Sequence, residues 1–444
     1  MPQIALSQAL LDEVVPLTID LVRARPDSAT GQPLAKQARV LAIVAARLRQ
    51  AGIAVTVVPL SANDSRSNLL AVLPGTDRTQ APLLLLGHSD VATADEGAVR
   101  GDRLIGRGAA DALSLLALQT LTMGALAEAQ ASSRRGPRPR DVMLLVTGDA
   151  QGDDQGLQQA LVDWPAISRA AYALGGGGHL LESYWRPGED LAAIAAADKG
   201  LFQFTLEASG PHGPAATPAK ETAPDRMTRA LSRIIARASP FRWTRASERL
   251  LYDVGEARGG VEGVVLKSPT LAGAFAKEML EATPASAALY RDTCALTVMQ
   301  AGRERSTIPA RAHATFDCRL LPGTKPAAFH DEILRTINDP RIAVTVLAAA
   351  AASASDPDGA VPRALRRRMQ RELPSAVVAA TLTTTTTNCP LLRAAGVPCY
   401  GFLPVRITKE QLDALHSDDE SVRLDELGKG LGRLVDVAAA LAWQ

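Results

Sequence analysis

Two short stretches hold the residues best suited to chemistry. GHSDV (87–91) places His88 and Asp90 two positions apart, and GRGAADA (106–112) brings in Asp111 downstream. A His and an Asp at a strand end, with a second Asp at a helix start, is how a co-catalytic metal site commonly begins. A neutral imidazole supplies one ligand, a shared carboxylate another, and a further carboxylate fixes the imidazole tautomer. Alone, His-x-Asp is more often a loop ion pair. The surrounding elements must decide.

Those elements read as α/β. LLLLGH (83–88) is a continuous apolar run, the pattern of a buried parallel strand that delivers a loop at its carboxyl end. DVMLLVTGD (141–149) repeats it, and an Ala/Leu-rich helix over 109–128 lies between them. Helices are predicted over 6–24 and 34–51, the second stopping at Gly52, and strands over 53–60 and 68–75. AYAL is a further strand, running into the glycines 175–178. After Lys199-Gly200 the style changes: FQFTLEAS alternates with period two, as a half-exposed antiparallel strand should. A helix near 224–237, a long segment without assigned elements, strands 295–301 and 311–320, the helix AAFHDEILRTI and the strand IAVTVLAA follow. Strand–helix–strand–strand–helix–strand is the split βαβ arrangement. A small domain, 199–353, is therefore expected inside a larger one made of 1–198 and 354–444. Helix 361–372, strands near 376–384 and 398–403, and helix 425–441 close the larger domain.

Composition narrows the function classes. With 444 residues, 47% hydrophobic and 21% charged, the chain fits two cored domains. A net charge of +1 offers no basic field for nucleic acid. MPQIALSQALLDEVVPL lacks a basic start followed by an apolar run, so no signal peptide is predicted and a cytoplasmic location is expected, a leader removed from a longer precursor aside. No stretch is apolar enough to span a bilayer. Cys294, Cys318, Cys389 and Cys399 contain no C-x-x-C pair and are expected to be buried thiols rather than disulfides or a zinc knuckle.

The longer pattern resembles the aminoacylase, carnosinase and desuccinylase family of di-zinc exopeptidases, whose first motifs are G-H-x-D-V and G-R-G-x-x-D. Further matches are DKG (198–200), STIPARAHATFDCRLLPG (306–323), RAAGVPCYGFLP (393–404) and HSDDESV (416–422). They fall in order along nearly the whole chain. The resemblance implies a doubly wound, mainly parallel sheet with an inserted ferredoxin-like lid that also forms a homodimer. It also implies that His88 binds one metal, Asp111 bridges two, His416 binds the second and Asp90 orients His88. The ligands of the family are small peptides or N-acyl amino acids.

Then the pattern breaks. Family members carry D-E-E at the end of the next strand, giving a general base and a metal ligand; here Asp149 is followed by Ala150 and Gln151. Alanine takes no proton from water, and loss of such a base costs roughly 100- to 10,000-fold in rate. The following L-D-E-G-G reads Leu174-Gly175-Gly176-Gly177-Gly178, so a second carboxylate ligand is gone at Gly176. His179 is two or three positions late and is expected in a loop. The family's G-G-T-D-x-R has become Thr386-Thr387-Asn388-Cys389-Pro390 without the carboxylate-gripping arginine, and Pro214 replaces a lid histidine two positions from His212. Catalytic zinc uses about three protein ligands plus water, and neither half of this site keeps that number. No metal, or a weak single zinc, is expected.

The leading reading is thus a catalytically degenerate homologue that binds or supports rather than cleaves. In it Asp111, His88 and His416 form a metal-free ion-pair cluster, because neutral side chains relieve the repulsion of carboxylates no longer screened by cations. The alternative is an active amide hydrolase with two zinc ions in a rearranged site, using Asp149 with Asp153 and Asp154.

Overall fold

A computed structural model describes residues 4–24, 33–61, 66–90, 97–132, 136–148, 154–384 and 387–444. Asp149, Ala150, Gln151, Asp153 and Thr386 therefore lie outside the described residues.

The larger sheet has nine strands. From one edge they run Ala54–Pro59, Ser67–Leu73, Val142–Thr147, Leu83–His88, Tyr172–Leu181, Cys399–Ile407 and Leu191–Asp198. Val377–Thr383 lies parallel to Leu191–Asp198, and the short Ser353–Ala354 lies antiparallel to it. The centre is parallel, from Val142–Thr147 through Leu83–His88 and Tyr172–Leu181 to Cys399–Ile407. Antiparallel joins flank it on both sides, so the sheet is mixed. The sequence explains the centre. Leu83 and Leu85 pack into one core with Leu144, while Leu84 and Leu86 pack into a second core with Leu145 on the other face. A strand covered on both faces must be apolar at every position. Helix Leu113–Ala131 is buried all round from Leu113 to Leu126, because it lies between the sheet and two outer helices, Gln8–Arg23 and Leu424–Ala442.

The smaller sheet is antiparallel, in the order Thr293–Ala301, Arg311–Leu320, Gly200–Ser209, Ile342–Ala350. Helices Ala223–Ala236 and Pro326–Ile337 cover one face. Phe202, Phe204, Leu206 and Ala208 point into that core, with Phe316 stacked on Phe204. This is the ferredoxin-like arrangement that the alternation predicted. The long unassigned segment is helical: Arg245–Arg258, Gly260–Lys267 and Pro269–Phe275. Its Leu250, Leu251, Val254 and Leu266 belong to the larger core rather than to the small one.

The cysteines correct the thiol expectation. Cys294 and Cys318 are directly opposite on neighbouring antiparallel strands and form a disulfide, and Cys389 pairs with Cys399 at a Cα–Cα distance of 5.3 Å. Spacings of 24 and 10 residues carry no signature of their own. Strand register and the turn after helix Cys389–Ala394 bring each pair together, and neither can be read locally.

Candidate functional site

The carboxyl ends of the central strands carry the site, where ligands settle in open α/β sheets. His88 ends its strand, and its Nδ1 lies 3.1 Å from Asp90 Oδ1 and 3.1 Å from the Asp90 carbonyl oxygen. Burial works against protonating His88, but the hydrogen bond and charge of Asp90, helped by the charge of Asp111, outweigh it and raise its pKa above the usual histidine value. Asp111 sits in the turn before helix Leu113–Ala131, joined to Ala112 by a cis peptide bond.

Asp111 and His416 are distant in sequence, and a small three-stranded sheet brings their loops together. Ser421–Arg423 pairs with Arg103–Ile105, which pairs in turn with Ala98–Arg100. Glu420, fully buried, completes the join. One carboxylate oxygen accepts from the backbone N–H groups of Ala110 and Asp111 at 2.9 Å each, and the other accepts from that of His416 at 3.0 Å. Burial raises the Glu420 pKa, and these N–H groups pull against it. The residue lies inside the quoted HSDDESV stretch, yet its role escaped the sequence reading because its partners are backbone atoms.

Strand Tyr172–Leu181 does not stop at the glycines. It runs through all four and includes His179, which is paired with Leu403 on one side and Ala193 on the other. This corrects the loop expectation. Glycine permits the run because three strands converge there: a Cβ on Gly178 would lie 2.3 Å from the Gly401 carbonyl oxygen, and one on Gly401 would lie 2.0 Å from that of Gly176. His179 feels the charges of Asp111 and His416, its pKa is lowered chiefly by burial, and its Nδ1 has no hydrogen-bond partner. A Cβ on Gly176 would stand 3.3 Å from Asp111 Oδ1. Position 176 therefore faces Asp111 and offers it only hydrogen.

On the far rim, Thr387 donates to Asp198 Oδ1 at 2.6 Å, and the other Asp198 oxygen is bound by Arg393. Asn388 donates to Asp154 at 2.5 Å. His212 and Pro214 are exposed on the small domain, Pro214 in a two-residue strand against Thr307–Ile308. The site thus gathers His88, Asp90, Asp111, His179 and His416. Among the described residues, no three His, Cys, Asp or Glu side chains are arranged to hold a metal ion. The donor set among the described residues does not by itself fit the pair of divalent ions that the motif pattern implies.

Comparison with known proteins now bears on this geometry. Residues 197–343 match the M20 family of peptidase dimerisation domains. The fold covers 98% of human carnosine dipeptidase 1 with a TM-score of 0.67 at 15% identity, over 98% of this chain. It covers 98% of the M20 family metallo-carboxypeptidase Sso-CP2 from Sulfolobus solfataricus with a TM-score of 0.69 at 15% identity, over 96% of this chain. The chain as a whole has the fold of the M20 metallo-exopeptidases, and residues 197–343 carry the matched dimerisation domain. In sequence it is 25% identical over 374 residues to the human N-fatty-acyl-amino acid synthase/hydrolase PM20D1, covering 80% of this chain and 72% of that protein. It is 26% identical over 249 residues to the probable carboxypeptidase S-like 2 of Dictyostelium discoideum, covering 55% and 47%. Its homologues are thus peptidases and amide-bond synthase/hydrolases. Among the described residues, no helix is long and apolar enough to cross a membrane.

Proposed function

We propose that this chain is a catalytically degenerate M20 homologue, a pseudoenzyme that keeps the cleft of an exopeptidase or N-acyl amino acid hydrolase and uses it to bind rather than to cleave. The observation that carries the reading is the bare Gly176 facing Asp111, where a second carboxylate would be needed beside a shared metal ion. The sequence adds Ala150 and Gln151 at the base and ligand positions. Asp90, Asp111, His88 and His416 remain as a polar cluster, with Glu420 holding the backbone beneath it. The bound molecule is a small peptide or an N-acyl amino acid, and the matched dimerisation domain supports a homodimer. Two disulfides favour an oxidising compartment over the cytoplasm.

The test is elemental analysis together with turnover. Purified protein should carry no stoichiometric zinc and should leave dipeptides and N-acyl amino acids intact. Ala150→Glu, Gln151→Glu and Gly176→Glu together should restore metal binding, measured by the same elemental analysis. Wild-type protein that arrives with two zinc ions and hydrolyses N-acyl amino acids would overturn the proposal.

One observation favours the second reading, an active hydrolase with a rearranged site. His179 stands beside Asp111 and His416 with an unpartnered ring nitrogen, so it offers a donor that the family pattern lacks. If that reading holds, His179→Ala should abolish both metal uptake and hydrolysis. If the first holds, His179→Ala should change neither.

A further inference from the structure

We propose that the small domain carries an anion-binding pocket, separate from the Asp111 cleft, that takes a compact phosphate-type anion. The cavity encloses about 250 Å³ where the first turns of helix Ala223–Ala236 meet the end of helix Pro326–Ile337. Its charged lining is Arg226, Arg229, Arg233 and Arg341 with Glu221 and Asp339. Four cations face two carboxylates in the lining, and Asp225 acts on Arg229 from one turn away, which leaves an excess of one positive charge.

The pairing shows where that excess sits. Glu221 Oε2 accepts from Arg226 and from Arg341 at 2.6 Å each, and Asp339 Oδ2 accepts from Arg226 at 2.9 Å. Both carboxylates are thereby used, and the arginines hold the Glu221 carboxyl below the usual glutamate range. Arg229 is left 3.7 Å from Glu221 Oε1, beyond hydrogen-bond reach. Arg233 donates to the Ile337 carbonyl oxygen and has no carboxylate partner among the described residues. Arg226 is only 3% exposed, and its Nε–H finds no acceptor.

These features select the ligand class. Guanidinium groups match the oxygens of phosphate in pairs of parallel hydrogen bonds, and an anion balances the uncompensated charge of Arg233. The cavity falls below the roughly 300–1,000 Å³ of drug-sized sites, so it suits a phosphate or a phosphomonoester head. Glu221, at the lip, is held at a φ of 59°, a left-handed conformation that a non-glycine residue keeps only when its surroundings enforce it.

The experiment is calorimetric titration of the full chain with inorganic phosphate at fixed ionic strength in chloride. Wild-type protein should bind one phosphate per chain, saturably. Arg229→Ala/Arg233→Ala, which touches the two arginines without carboxylate hydrogen bonds, should weaken binding at least tenfold while circular dichroism shows the fold kept. Absence of saturable binding by wild-type protein would overturn the proposal, as would equal affinity in the variant. A variant that becomes monomeric on sedimentation while phosphate affinity stays the same would assign these arginines to contacts between copies, and would also overturn it. None of these outcomes depends on the metal content of the Asp111 cleft.

Discussion

Glu420 binds three backbone N–H groups from two loops, so its removal should be felt more than that of most buried acids. Glu420→Ala leaves those donors unsatisfied in a dry setting, and we expect a loss of about 3 kcal/mol or more, read as a lower denaturant midpoint. Glu420→Gln is expected to fall between the two, since its amide nitrogen cannot accept from an N–H. Asp90 gives a contrasting case. Asp90→Ala removes one hydrogen bond to His88 at the surface of the cleft and should cost about 1 kcal/mol. His88, Asp90, Asp111 and His416 were legible in the sequence because their types and order form a motif. Glu420 was not, since a carboxylate serving main-chain atoms leaves no pattern of side-chain types. His179 was misplaced for a different reason: four glycines look like the end of a strand, and only the neighbouring backbones at Gly178 and Gly401 reveal that they continue one.

At the scale of elements, the C-terminal helix Leu424–Ala442 carries a buried ion pair within itself. Both partners also bind the backbone of strand Cys399–Ile407, Glu426 accepting from the Arg406 N–H and Arg433 donating to the Pro404 carbonyl oxygen. Arg433 donates to Glu426 at 2.7 Å, with both side chains 2% exposed, and reaches Glu372 and the Pro404 carbonyl oxygen as well. Glu426→Gln leaves Arg433 with Glu372 as its remaining counter-ion, so it should destabilise the fold by about 2 kcal/mol, less than stranding a buried charge outright. The pH dependence follows from the sign of the shift. Burial alone would raise the Glu426 pKa, but the charge and hydrogen bond of Arg433, with bonds from the Arg406 backbone and Lys429, lower it below the ordinary 4.5. Its stabilisation is therefore complete above pH 4.5 and is lost as the pH falls through the folded-state value. Denaturation midpoints of wild type and Glu426→Gln should converge in acid. Elements with strong periodicity were readable in advance, such as LLLLGH and FQFTLEAS. LAAIAAAD was passed over, although it forms strand Leu191–Asp198, because a run of alanines carries no β-branched or alternating signal. The helices between 245 and 275 were missed because their apolar residues serve a core built mainly by other parts of the chain.

For the whole molecule, the disulfides give a direct check. Denatured, unreduced protein should take up no alkylating reagent, and reduced protein should take up four equivalents, by intact mass. The two-sheet architecture could be read from the change of pattern at Lys199-Gly200, whereas pairings such as Cys294 with Cys318 depend on register across strands. The junction between the sheets has a mechanical consequence. The outgoing and returning chain segments are zipped side by side, with Ala197 against Ala354, Asp198 against Ser353 and Leu201 against Ala350. Lys199 then fastens that ribbon to a third passage through the carbonyls of Ala288 and Arg291 and the hydroxyl of Thr293. Three strands of traffic meet at one rivet, so the small sheet cannot sway on independent tethers. Any swing of that sheet must pivot where Lys199 clamps the three passages together.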